Sequence, residues 1–187
     1  IFNGKPSQYT RKVFNFDDGS QLIFNDVRKF GWWKKVKDIK KIEKEFGPEA
    51  LEIDPKTFQY ILAKRPRAKI KPLLMDQKFI AGIGNIYSDE ILFASRVNPL
   101  RHVKTLSGKD ISKIFQNIKK ILKEAIKHHG SSVKDYLDVC GQKGNYTKYH
   151  NVYGKEGRPC PRQDGGIIKR IKVGGRSAHF CPICQKL

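Results

Sequence analysis

Cysteine is the residue type with the clearest chemical potential in this sequence, which contains four of them. Cys181 and Cys184 form a Cys-x-x-Cys pair near the C-terminal end, and Cys160 precedes them by a stretch long enough for a β-hairpin. Disulfide frameworks are typical of small secreted domains, whereas cysteine knuckles on a hairpin are typical of structural zinc sites, because zinc prefers four tetrahedral ligands. We therefore predict one structural Zn²⁺ ion here, and a metal-free hairpin is the alternative.

The fourth ligand of this predicted site breaks the usual pattern. Gln163 stands where the second cysteine of a first Cys-x-x-Cys pair would lie. Asp164 follows it and is the nearest side chain that can ligate zinc, through a carboxylate oxygen. The predicted ligands are Cys160, Asp164, Cys181 and Cys184, and the alternatives to Asp164 are Gln163, Cys140 and His179.

An arginine and an aromatic residue that lie two positions apart form a second candidate site. On an extended segment Arg28 and Phe30 point to the same side. Such a pair suits nucleic acid, because the cation can meet the backbone or a base edge while the ring wedges between bases. A solvated arginine beside an aromatic residue at a sheet edge is the alternative.

The charge of the chain indicates what kind of partner it meets. Its 187 residues carry 38 Lys and Arg against 18 Asp and Glu, a formal net charge of +20. A polyanion, above all nucleic acid, is the partner that this balance favours, and an ordinary lysine-rich surface is the alternative. No apolar run approaches the length of a membrane span, so we expect no membrane partner.

Residues 70–93 are the segment around which the other candidates are organised. Apolar clusters on both sides of Gly82 and Gly84 predict two short helices joined by a tight turn. Asn85 is the predicted N-cap of the second helix. The free amide groups at that end form an anion site, and in so basic a chain the expected anion is a phosphate.

Periodicity predicts the elements that hold these residues in place. Alternating residues around Asp18-Gly19 predict a β-hairpin, and residues 56–64 predict a short helix. Residues 109–128 have the apolar spacing of an amphipathic helix. Residues 167–173 and 177–180 predict a second hairpin that turns at Gly174-Gly175.

Three of these segments together resemble the formamidopyrimidine-DNA glycosylase group of the Fpg/endonuclease VIII family. They are IKPLLMDQ with AGIGNIYSDEILF, the tail VGGRSAHFCPICQ, and DVRKFG. The resemblance implies an α+β fold. Residues 1–54 would be the end of an N-terminal β-sandwich plus a linker, residues 55–150 a helix–two-turn–helix domain with a lesion loop, and residues 151–187 a zinc-finger β-hairpin.

The resemblance also implies roles for individual residues. Arg28 and Phe30 would fill the gap that an extruded base leaves. The remaining DNA-binding residues, which would contact phosphates or lie in the basic segment before them, are Arg67, Lys69, Lys71, Asn85 and Arg176. The loop from Ser131 and Ser132 to Tyr146 would recognise the lesion. This loop and the Arg-x-Phe pair favour the branch that removes 8-oxoguanine and formamidopyrimidines.

The activity implied is that of a DNA glycosylase and AP lyase in base-excision repair, which flips and removes oxidised purines and nicks the strand. The alternatives are an endonuclease VIII-like enzyme for oxidised pyrimidines and a non-catalytic zinc-ribbon nucleic-acid-binding protein. The family's catalytic proline, glutamate and lysine have no match in this sequence, so we expect the chain to lack the catalytic segment and to be inactive alone. We expect a monomer that binds damaged double-stranded DNA in a bacterial cytoplasm, at the nucleoid.

Overall fold

A computed structural model describes residues 1–133 and 136–187 of the chain. It contains β1 (Thr10–Asn15), β2 (Gln21–Asn25), α1 (Lys40–Glu43), α2 (Pro55–Ala63), α3 (Ile70–Leu74), α4 (Asn85–Ser95), α5 (Gly108–Lys127), β3 (Lys169–Val173) and β4 (Arg176–Phe180). Two short 3₁₀ helices lie at Val103–Thr105 and Tyr146–Tyr149. This order of elements confirms the predicted α+β class.

The chain divides into two compact units. The first unit comprises residues 1–38 and 125–148, and the second comprises residues 39–124 and 149–187. The three-segment division at residues 54 and 150 stays a prediction. None of the helices in the described ranges has the length and apolar character that a membrane span requires.

The first unit is built on the predicted hairpin. Strands β1 and β2 pair antiparallel, with Phe14 opposite Leu22 and an irregularity between Thr10 and Lys12. Gly19 has a φ of +82°, which the tight turn requires and which glycine adopts without strain. The amide of Ser20 donates to the Asp18 carboxylate, 2.9 Å between N and Oδ1, and so closes the turn.

The second unit is a helical body to which α2, α3, α4 and α5 contribute buried side chains, whereas α1 buries none. Asp54 caps α2 by accepting from the amides of Lys56 and Thr57, at 2.9 and 3.0 Å. Ser107 and Asp110 cap the start of α5 reciprocally, each side chain accepting from the other's amide. The fully buried core side chains include Phe58, Leu62, Ile70, Leu74, Ile91, Ile114 and Ile118.

The C-terminal hairpin also belongs to the second unit. Strands β3 and β4 pair antiparallel with Val173 opposite Arg176, so Gly174 and Gly175 form the turn as predicted. Both glycines have positive φ, +56° and +78°. A Cβ at Gly174 would lie 2.9 Å from Cγ of Pro72 in α3, so the turn packs closely against the helical body.

Candidate nucleic-acid interface and metal centre

The turn before α4 is fixed by one glutamine. Gln77 donates to the carbonyl of Ile83 and accepts from the amide of Gly82, each at 2.9 Å. Gly82 has a φ of +93°. The two-helix arrangement around this turn is therefore as predicted.

Asn85 does not hold the predicted position. Gly84 is the N-cap of α4, and Asn85 is the first residue of the helix. The cap prediction was wrong because Gly84 takes the extended conformation there, with φ −104° and ψ −175°. The Asn85 side-chain oxygen is buried and has no hydrogen-bond partner among the described residues. The predicted contact of Asn85 with a phosphate stays a prediction. In such a contact the side-chain Nδ2 would donate to a phosphate oxygen.

Lys71 lies inside the second unit and joins α3 to α4 and β4. Its Nζ lies 2.5 Å from Oδ1 of Asp89, and both side chains are fully buried. The same ammonium group donates to the carbonyl of Ser177 at the start of β4. Burial lowers the pKa of Lys71, and the attraction of Asp89 opposes that shift. The predicted phosphate contact of Lys71 stays a prediction, since Asp89 and Ser177 already occupy its ammonium group.

Asp89 is a site residue that sequence reasoning missed. Its second oxygen accepts from the backbone amide of His179, at 3.0 Å, and lies 3.0 Å from His179 Nδ1. His179, an alternative zinc ligand in the sequence, therefore faces Asp89. The sequence offered only the acidic character of Asp89 near a helix N-terminus, which does not reveal partners far away in the chain.

Glu90 was missed for the same reason. It is 2% exposed and accepts from the amides of Asn151, Val152 and Tyr153 at 2.8 to 3.0 Å. It also accepts from the side-chain amide of Asn151. Because these amides lie at the start of residues 151–187, Glu90 fixes where the predicted finger segment begins against α4.

Arg176 begins β4 and is exposed, as a phosphate ligand must be. Its neighbour Ser177 is held by Lys71, and the adjacent turn packs on Pro72. The structure thus brings Arg176 and the start of α3 close together. Arg67 and Lys69 are exposed as well, and Lys69 lines an open cleft with Arg96, His102 and Lys186.

The four predicted zinc ligands converge. One ligand atom from each of Cys160, Asp164, Cys181 and Cys184 lies within 4.8 Å of every other. Oδ2 of Asp164 is 3.4 Å from Sγ of both Cys160 and Cys181. Three thiols and a carboxylate at these separations fit a tetrahedral zinc ion, and the cluster suggests a structural zinc as predicted. Cys140 and His179 are not members of the cluster, and Gln163 as an alternative ligand stays a prediction.

Burial opposes ionisation of two thiols of the cluster, so thiolate ligands at this site depend on a bound cation. Burial raises the pKa of the Cys160 thiol and raises that of Cys184 to about 12. The amide of Gly166 lowers the pKa of Asp164. Thiolates packed this closely need a positive charge, which a zinc ion would supply.

Arg162 ties the metal segment to α4. Its Nη1 lies 3.1 Å from Sγ of Cys184, and its Nη2 donates to the carbonyl of Phe93 at 2.8 Å. The guanidinium also stacks 3.9 Å over the Phe93 ring. No sequence signal distinguished Arg162 from the other basic residues of this segment.

In the first unit, Asp26 shapes the loop that carries Arg28 and Phe30. Its carboxylate accepts from the amides of Arg28 and Gly31, at 2.9 and 2.6 Å. The Gly31 amide lowers the pKa of Asp26. The Arg28 guanidinium lies 4.8 Å from the Phe30 ring centroid, and Phe30 is 75% exposed. Both side chains are therefore free of the core, as a wedge requires.

The predicted lesion loop also lies in the first unit. Ser132 Oγ donates to the carbonyl of Tyr136 and accepts from the amide of Gly144, each at 2.8 Å. Ser131 pairs with Asn145, and Tyr146 is buried. Residues 134 and 135 of this loop lie outside the described residues. The recognition roles of Ser131, Ser132 and Tyr146 stay predictions.

Comparisons with known proteins bear on the family. Residues 46–136 match the formamidopyrimidine-DNA glycosylase H2TH domain, and residues 157–187 match the zinc finger found in FPG and IleRS. The chain is 43% identical to the formamidopyrimidine-DNA glycosylase of Pelotomaculum thermopropionicum, over 97% of this chain and 67% of that protein. It is 40% identical to the Bacillus cereus protein of the same name, over 95% and 66%. It thus spans about two thirds of the length of these relatives.

Solved structures give the same result. The Lactococcus lactis Fpg in complex with DNA containing an abasic site has a TM-score of 0.86 and 37% identity, covering 99% of this chain and 69% of that one. The MutM (Fpg) protein of Thermus thermophilus has a TM-score of 0.86 and 34% identity, over 98% and 71%. Both the predicted family and its zinc-finger architecture are confirmed: the chain belongs to the formamidopyrimidine-DNA glycosylase family.

Proposed function

We propose that this protein is a DNA glycosylase and AP lyase that removes oxidised purines, with residues 1–187 supplying DNA binding, filling of the vacated base position, and lesion recognition. The observation that carries the proposal is the Lys71–Asp89–His179 network. It joins α3, α4 and β4, so the exposed Arg176 and the N-terminus of α4 are held in one rigid arrangement. Separate helical and finger elements would not keep such groups in a fixed register.

The physical roles follow from the energy that base extrusion requires. Rotating a nucleotide out of the stack costs a few kcal/mol. Cationic contacts to the bent backbone and an inserted wedge offset this cost. We assign the backbone contacts to Arg176, Asn85, Arg67 and Lys69. Lys71 would add a contact when DNA binding releases its ammonium group from Asp89 and Ser177. We assign the wedge to Arg28 and Phe30, whose side chains are exposed on a loop that Asp26 holds.

The zinc ion has a structural role in this proposal. When bound, it cross-links residues 160–184 and does no chemistry on the DNA. Cys160, Asp164, Cys181 and Cys184 would hold it. The finger hairpin lies between these ligands in the chain. The position of Arg176 on that hairpin therefore depends on all four ligands being present.

The substrate class is supported by two features of the chain. They are the segment from Ser131 to Tyr146, to which we assign lesion recognition, and the pair Arg28 and Phe30, which resembles that of the purine-directed branch. Solved relatives include the Lactococcus lactis protein in complex with DNA containing Fapy-dG. We extend that substrate class, formamidopyrimidines and 8-oxoguanine, to this protein.

The catalytic groups that the family resemblance implies have no match in residues 1–187. We therefore propose that these residues alone bind lesion DNA without excising a base. The test is incubation with an 8-oxoguanine duplex and borohydride, which traps an iminium intermediate between an amine and the sugar. Tight binding without a covalent adduct is expected, and an adduct from residues 1–187 would contradict this division.

The wedge assignment has a separate test. Arg28→Ala should lower the preference for a duplex with an abasic-site analogue over an undamaged duplex, while leaving undamaged affinity within about twofold. The control is Lys37→Ala, which removes an exposed cation of the same unit outside the Asp26 loop. Equal loss of affinity for both duplexes in the Arg28 variant would show a general charge effect and favour a non-catalytic binding protein.

A further inference from the structure

Arg162 makes contacts that the proposed function does not use. Its Nη1 lies 3.1 Å from Sγ of Cys184, a predicted zinc ligand. Its Nη2 donates to the carbonyl oxygens of Phe93 and Ala94, at 2.8 and 3.3 Å. The guanidinium carbon lies 3.9 Å from the centroid of the Phe93 ring. One side chain therefore meets both the metal centre and the C-terminal end of α4.

No acidic side chain accounts for the position of Arg162. The residue is half-buried, and none of the ion pairs in the described ranges includes it. Its polar partners are one sulfur atom and two backbone carbonyls. A guanidinium keeps its positive charge in such surroundings. This cation is therefore held by the metal ligand and by the end of the helix.

The contact with sulfur meets a need of the metal centre. Three thiolates and one carboxylate around a divalent zinc ion leave two negative charges in excess. A cation beside a sulfur atom favours its thiolate form, which is the form that binds zinc. Groups that hydrogen-bond to metal ligands orient those ligands, and their loss typically lowers metal affinity about 10- to 100-fold. Arg162 is placed to act in this way on Cys184.

The contacts with carbonyl oxygens complete the end of α4. The last carbonyls of a helix have no partner within the helix, and a cation at that end is favourable. The amide of Arg96 covers part of this end by donating to the carbonyl of Phe93 at 3.0 Å. Arg162 binds the same carbonyl and that of Ala94. It thereby fixes the last turn of the helix whose first residue is Asn85.

The shape of the guanidinium suits this double role. Its planar fork can meet a sulfur atom with one nitrogen and carbonyls with another while it stacks on a ring, whereas an ammonium group is a point charge. We propose that Arg162 is a positioning residue that couples the metal centre to α4, because one guanidinium orients the Cys184 thiolate and fixes the last turn of the helix. Loss of zinc then loosens α4 as well as the finger. The coupling lies within the second unit and involves no nucleic acid, so its failure would leave the proposed function standing.

The first test is zinc affinity, measured by competition with a chromogenic chelator of known affinity. Arg162→Met keeps an unbranched stem but removes the fork, and it should weaken zinc binding at least about tenfold. The matched control is Arg158→Met, an exposed arginine of the same segment, which should stay within about twofold of the wild type. Unchanged zinc affinity in Arg162→Met, or an equal loss in the control, would overturn the proposal.

The second test is amide hydrogen exchange of the zinc-loaded proteins, which a role confined to the metal would not alter. The amides of Arg96 and Val97 donate to carbonyls of the last turn of α4. In Arg162→Met they should exchange at least about threefold faster than in the wild type, because the carbonyl contacts of Arg162 are lost. Ile118, fully buried in α5, is the internal reference and should not change. Equal acceleration at Ile118, or none at Arg96 and Val97, would contradict the coupling.

Arg162→Lys separates charge from shape, and it keeps the test decisive if circular dichroism shows that the methionine variant does not fold. Its ammonium group can reach either the Cys184 sulfur or the carbonyls of α4. The lysine variant should therefore retain at most one of two properties, wild-type zinc affinity and wild-type exchange at Arg96 and Val97. Retention of both would mean that the fork of Arg162 does not bridge the two sites.

Discussion

At the scale of single residues, the metal centre shows what a sequence can and cannot specify. Cys160, Cys181 and Cys184 were predictable from type and spacing alone. Asp164 was predictable only as the nearest competent side chain, because the spacing of a Cys-x-x-x-Asp knuckle does not fix where the carboxylate points. The structure shows what directs the Asp164 carboxylate toward the metal site. The Gly166 amide, 2.9 Å from Oδ1 of Asp164, orients the carboxylate toward the thiols.

Asp164→Ala should weaken zinc binding by at least about tenfold, because one of four anionic ligands is replaced by water. The measurement is zinc content by elemental analysis after competition with a chelator of known affinity. Gln163→Ala is the comparison variant, since Gln163 is the alternative ligand directly before Asp164 in the chain. Equal zinc retention in the two variants would show that Asp164 is not a ligand.

The buried Lys71–Asp89 pair gives a second prediction at this scale. Lys71→Met should lower the free energy of unfolding by about 3 to 5 kcal/mol, because it leaves the Asp89 carboxylate buried with only His179 as a partner. Urea unfolding followed by far-ultraviolet circular dichroism measures this. Combining Lys71→Met with Asp89→Leu should cost less than the sum of the two single changes. Simple additivity would mean that the two side chains do not interact.

At the scale of elements, α4 holds the second unit together. One of its sides binds β4 through Asp89 and the finger segment through Glu90, while Ser95 on the other side contacts α5. Periodicity predicted α2, α4, α5 and both hairpins, since each depends on local apolar spacing. It could not predict the N-cap at Gly84 or the buried partners of Asp89 and Glu90. Caps depend on backbone angles at one residue, and those partners are distant in sequence.

The finger turn provides a prediction for an element contact. Gly174→Ala and Gly175→Ala both place a side chain at positive φ, which costs about 1 kcal/mol or more. Only the Cβ at Gly174 would also meet Pro72, at 2.9 Å, whereas nothing lies within 4 Å of a Cβ at Gly175. Gly174→Ala should therefore shift Arg176 and weaken DNA binding more than Gly175→Ala does. Equal affinities by fluorescence anisotropy would argue against a close turn–helix contact.

At the scale of the whole molecule, the question is whether affinity for DNA comes from the total charge or from a few placed cations. The net charge of +20 predicted a polyanion partner without indicating where it binds. The structure divides the basic residues into those with ion-pair partners, such as Lys71 and Arg101, and exposed ones such as Arg67, Lys69 and Arg176. Affinity that comes from the total charge and affinity that comes from a few placed cations differ in their dependence on salt.

If the exposed residues Arg67, Lys69 and Arg176 each contact one phosphate, DNA binding should have a log–log salt slope of about −2.7, at 0.9 per contact. Arg176→Gln should then reduce that slope by about 1, because one counterion fewer is released. Lys56→Gln, which removes an exposed charge on α2, should leave the slope unchanged. The measurement is anisotropy of a labelled duplex between 50 and 200 mM salt. A much steeper slope that neither variant alters would mean that the total charge, and not the placed residues, provides the affinity.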